Sequence, residues 1–130
     1  MRTLARKVVL RDEAVDPQAI LYDVDGRTPV GARYVDDGIH MGFFDEGGAM
    51  ARRYRRLEKA FPGSGVAITS TTRDGALSQV VVWNDRTLGE YYLMDTAANT
   101  ANGVFVRMEW LHPERMAPTR RIELEARDGV

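Results

Sequence analysis

Apolar residues along this chain come in short runs, and polar turn residues punctuate them. Ala19-Ile20-Leu21-Tyr22 ends at Asp23-Val24-Asp25-Gly26-Arg27, and Val30 to Val35 follows. An Asp-Gly pair between two such runs signals a hairpin, because glycine takes positive φ without a Cβ clash. Asp36-Asp37-Gly38 repeats the device before Ile39 to Phe44. The pattern predicts three short strands. Between 47 and 61 the period changes, and Met50, Tyr54, Leu57 and Phe61 share one helical stripe. This predicts an amphipathic helix with Asp45 as N-cap, Glu46 at the positive end of its dipole and Pro62-Gly63 as its stop. Arg52, Arg53, Arg55, Arg56 and Lys59 are expected on its solvated face.

Strand periodicity then resumes. Val66 to Thr71, a turn at Arg73-Asp74-Gly75, Leu77 to Trp83, a turn over Asn84 to Leu88, and Glu90 to Met94 follow in order. A polar loop from Asp95 to Asn102 precedes Gly103-Val104-Phe105-Val106. Four short strands joined by tight turns match one propeller blade, ~40–50 residues. Arg107 to Thr119 contains Pro113 and Pro118 and reads as an irregular connector. Ile122 to Ala126 alternates apolar and charged residues, and Asp128-Gly129 announces a further hairpin turn. The fold class is therefore mainly β, with short antiparallel strands and one inserted helix.

Composition narrows the function. The chain has 130 residues, 44% hydrophobic and 28% charged, the proportions of a soluble globular domain. Eighteen Lys and Arg against nineteen Asp and Glu leave a net charge of -1. Nucleic acid and anionic membrane both reward a positive excess, so neither is an expected partner. Absence of cysteine excludes disulfides and thiolate chemistry but leaves the compartment, cytoplasmic or periplasmic, open. The apolar run Val8 to Leu10 behind the basic start is too short for a signal-peptide core. Either the mature chain is cytosolic or Met1 is not the natural start.

Candidate chemistry is sparse. Ser64, Ser70 and Ser78 all lie outside a Gly-x-Ser-x-Gly elbow, and Ser64 in Pro62-Gly63-Ser64-Gly65 reads as a loop after a helix. His40 and His112 have no second ligand at metal-pair spacing. Asp36-Asp37 and Asp45-Glu46 fit a turn and a helix start better than an acid–base pair. No glycine-rich phosphate loop occurs. Trp83, Tyr91, Tyr92 and Trp110 are read as packing aromatics. No catalytic, metal or cofactor-binding residue is assigned, and no cofactor is expected.

One resemblance goes further. Val80-Val81-Val82-Trp83-Asn84-Asp85-Arg86-Thr87-Leu88-Gly89-Glu90-Tyr91-Tyr92-Leu93-Met94-Asp95 resembles the last propeller blade of prolyl oligopeptidase-family serine peptidases. The nearest branch is the bacterial dipeptidyl aminopeptidase/acylaminoacyl-peptidase type, whose pattern is an apolar strand followed by Ser-Asp-Arg-x-Pro-Gly-x-Tyr-Tyr-Leu-x-Asp. Asn84 replaces the Ser and Leu88 the Pro, both at turn positions. Trp110 to Ile122 is similar to the family's connector between propeller and hydrolase, and Glu123 to Gly129 to the first strand and turn of the α/β-hydrolase domain. Upstream, Phe43-Phe44-Asp45, the helix and Phe61-Pro62-Gly63 resemble a helical insertion before the final blade. The likeness spans most of 19–129 and is densest over 80–129.

The resemblance implies a partial propeller over 1–106, with one complete blade at about 64–106, then a connector and first hydrolase strand over 107–130. The family's serine, aspartate and histidine would lie beyond Val130, so the chain is expected to be inactive alone. It implies a non-catalytic segment of an enzyme cleaving short peptides, with the propeller restricting access to the active site. The implied partner is the α/β-hydrolase domain, and exposed edge strands predict self-association. The alternative is a stand-alone small β protein that binds a peptide or protein through an edge strand. A third is an enzyme built on unrecognised Asp, His or Arg residues, with His112 and Asp74 as the residues to change.

Overall fold

The computed structural model describes residues 6–122, together with 124, 125 and 127. Among the described residues seven strands form two antiparallel sheets. The first holds β1 (Ala19–Tyr22), β2 (Pro29–Val35) and β3 (Ile39–Phe43) in that order. The second holds β4 (Gly65–Thr71), β5 (Leu77–Trp83), β6 (Glu90–Asp95) and β7 (Thr100–Val106), again in chain order. Helix α1 (Ala49–Ala60) joins them, and a single 3-10 turn sits at Pro113–Arg115. The mainly β fold class is as the periodicity predicts.

Turn chemistry sets each hairpin. The Asp25 carboxylate accepts hydrogen bonds from the Arg27 and Thr28 amides and the Thr28 hydroxyl, while Gly26 adopts φ of 65°. Asp74-Gly75 works the same way, with Gly75 at φ 71°. The expected loop over Asp95–Asn102 is shorter than the sequence suggests. Asp95 Oδ1 accepts from the Ala97 and Ala98 amides and Asn99 takes φ of 54°, so Thr100–Asn102 already pair with β6.

The helix start also differs from expectation. Its N-cap is Gly48, with no side-chain cap. Asp45 instead holds the turn before it, accepting from the Gly47 amide at 2.9 Å. Glu46 turns away from the helix end and pairs with Arg55 at 2.9 Å.

The core joins three layers of contributors. Leu21, Met41 and Phe43 come from the first sheet, Met50, Ala51, Tyr54 and Leu57 from the helix, and Val66, Val80 and Val82 from the second sheet. Phe61 closes the stripe against Tyr92, with ring centroids 4.7 Å apart. Each fully buried aliphatic side chain of this kind stabilises the fold by about 1.5–3 kcal/mol. Ser78 is buried among them and satisfies its hydroxyl on Thr71 Oγ1 at 3.0 Å.

The opposite face of the first sheet is covered by residues 8–18. Leu10 lies over Gly42, and Asp12 reaches His40 at 3.0 Å, so Ala32 and Tyr34 are buried beneath this strap. At the other end the connector is tied back to the sheets. Asp85 accepts from the Thr119 amide, and Arg121 pairs with Asp37 at 3.2 Å. Ile122, Leu124 and Glu125 lie in no strand; the rest of the expected 122–126 strand and the Asp128-Gly129 turn fall outside the described residues.

Candidate functional site

The serines are held apart from the histidines. Ser64 Oγ accepts from Asn84 Nδ2 at 3.3 Å, Ser78 is bonded to Thr71, and Ser70 lies on the exposed part of β4. His40 sits between two carboxylates, Asp12 Oδ2 at 3.0 Å from Nε2 and Asp36 Oδ1 at 3.7 Å from Nδ1, with its ring stacked on Tyr34. His112 approaches only Glu114, at 3.6 Å. No serine stands within hydrogen-bond reach of either ring, so the described residues assemble no Ser–His pair. Among them no three His, Asp or Glu side chains form a metal-binding group.

The His40 cluster is a fastener. Asp12 accepts from the Ala14 and Val15 amides as well as from His40, and these bonds hold its carboxyl below the usual range. The strap is thereby fixed to β3.

The helix arginines are not merely solvated. Arg53 Nη2 donates to the Gly75 carbonyl at 3.0 Å, and Arg55 donates to Glu46, Glu58 and the Met41 carbonyl. Arg56 reaches Asn99 and Arg52 the Gly47 carbonyl. One helix face therefore ties β3 to the turns of the second sheet. The sequence shows the charges but not their partners, the farthest of which, the Asn99 side-chain amide, lies 43 residues away.

Two regions are open to a partner. One is a cleft of about 310 Å³ between β1 and β4, with Tyr54 and Met50 also lining it. Arg33, on β2, faces into it with Nε donating to Gln18 and Cζ 5.1 Å from the Trp83 ring. The Tyr54 hydroxyl accepts from the Ile68 amide at 3.3 Å. Burial pushes its phenol up, so it stays protonated.

The other is the far edge of the second sheet. Every residue of β7 is exposed, and the Tyr91 and Phe105 rings stack at 4.3 Å with Phe105 half-exposed. Val104 is 61% and Trp110 72% exposed. The expected packing role of the aromatics holds for Tyr92 and Trp83 but not for Trp110. No family model, curated protein or solved structure matches this chain.

Proposed function

We propose that this chain is a non-catalytic β-propeller segment of a serine peptidase of the prolyl oligopeptidase type. In this reading the second sheet is one blade and residues 107–130 lead toward an α/β-hydrolase domain. The observation that carries it is the placement of the Val80–Asp95 pattern. It falls on β5, its turn and β6, the middle hairpin of a four-stranded sheet whose strands run consecutively in space. A blade needs that meander.

The uncovered surfaces support the same reading. The Tyr91, Leu93 and Phe105 side of the sheet has no cover among the described residues, and in a propeller a neighbouring blade supplies it. The two sheets form no closed ring by themselves. The segment's contribution to the parent enzyme is gating: its blades wall off the active site, so only short peptides reach the nucleophile.

Sequencing the transcript beyond the Val130 codon tests this. A frame continuing through a hydrolase strand to Gly-x-Ser-x-Gly supports the proposal. A stop codon there, with a monodisperse monomer in solution, overturns it.

A further inference from the structure

Two hydrogen-bond donors in the cleft between β1 and β4 have no acceptor among the described residues. The Arg33 guanidinium uses Nε on Gln18, while its terminal nitrogens meet no carboxylate or carbonyl among the described residues. The buried Tyr54 hydroxyl accepts from Ile68, and its own proton is unspent. Both line one cavity. Unspent donors around a partly buried cation are the complement of a carboxylate.

The walls specify the rest of the ligand. β1 is the outermost strand of its sheet, and the outer backbone groups of Ala19–Tyr22 meet no hydrogen-bond partner among the described residues. On the opposite wall the β4 edge is engaged at Ile68 by Tyr54. An extended chain entering the cleft therefore adds to β1, the usual mode of strand recognition.

We infer that this cleft binds an extended peptide segment ending in a free α-carboxylate, which Arg33 and Tyr54 hold while the backbone pairs with β1. The register orients it. Arg33 pairs with Ala19 at the start of β1, so a carboxylate seated there sends the peptide antiparallel to β1. About four residues on, roughly 13 Å at strand rise, its chain reaches Asp23, the acidic group at the far end of the cleft. A free amino terminus is thus met by the opposite charge. The inference stands on the cleft alone and does not depend on the blade reading.

The test uses the intact chain and two ligands, the tetrapeptide Thr-Val-Thr-Val and its C-terminal amide, by calorimetry and 15N NMR. The acid is expected to bind at least about tenfold more tightly than the amide, the weight of one charge-assisted hydrogen bond. Its shifts should concentrate on the amides of Ala19–Tyr22 and Ala67–Thr71. Tyr54→Phe should narrow the acid–amide gap while leaving the fold intact, and Arg33→Gln should abolish it. Equal binding of acid and amide, no binding of either, or acetate binding as tightly as the tetrapeptide would overturn the inference.

Discussion

The guanidinium carbon of Arg33, on the first sheet, stands 5.1 Å from the ring centroid of Trp83, on the second. Beside it, a Cβ built on Gly65 would come within 2.5 Å of both Ile39 and Trp83. The sheets therefore meet directly here, without the helix between them. Trp83→Ala is expected to lower stability by about 1–3 kcal/mol in urea denaturation, and Trp83→Phe by less than half of that. An unchanged midpoint for Trp83→Ala would show that this contact does not join the sheets.

Gly31 has less room for a side chain than Gly42, its fellow glycine in the first sheet. A Cβ there would overlap the Gly42 carbonyl oxygen, which is backbone and cannot swing away, and would press on Phe43. Gly31→Ala should cost more than about 2 kcal/mol or prevent folding. Gly26→Ala meets no atom but must hold φ of 65°, so its expected cost is smaller, about 1 kcal/mol. Thermal denaturation of both variants ranks them.

Asp25 gives a pH signature. Its bonds to the Thr28 hydroxyl and the Thr28 and Arg27 amides hold its carboxyl down to about 2. A lowered folded-state value means that the stabilisation is complete above the unfolded value near ~3.9 and is lost as pH falls toward about 2. Asp25→Ala should therefore melt below the native chain at pH 7. Its deficit should close between about pH 4 and 2. A deficit independent of pH would remove the charge from the explanation.

Tyr92 donates its hydroxyl proton to Glu90 Oε2 at 2.7 Å, and this bond pushes its phenol up to about 12. The raised value makes the contribution complete below the ordinary tyrosine range and lost as pH climbs through about 12. In an ultraviolet titration one of the five tyrosines should ionise near about 12, and Glu90→Gln should bring it down. Burial also raises Tyr54, which Glu90→Gln should leave untouched.

Local periodicity made most of the fold legible. The Met50, Tyr54, Leu57 and Phe61 stripe packs as its spacing predicts, and β5 spans Leu77–Trp83 as read. What escaped depends on partners distant in sequence. Nothing periodic marks residues 8–18, yet Leu10 and Asp12 cover β3, because the Asp12 partner His40 lies 28 residues away. The local signal, an Asp two and three residues before the Ala14 and Val15 amides it binds, fits any surface turn. Likewise, Arg33 is a single charged residue in an apolar strand. Its place in the cleft follows only from how the two sheets meet.

Assays of the purified chain test the proposal that it contributes walls to an active site and no chemistry of its own. The measurements are turnover of short peptide anilides and labelling by a fluorophosphonate. No turnover is expected, and no label on Ser64, Ser70 or Ser78, because none of these hydroxyls is hydrogen-bonded to a histidine. Turnover that vanished on changing His40, His112 or Asp74 would contradict it.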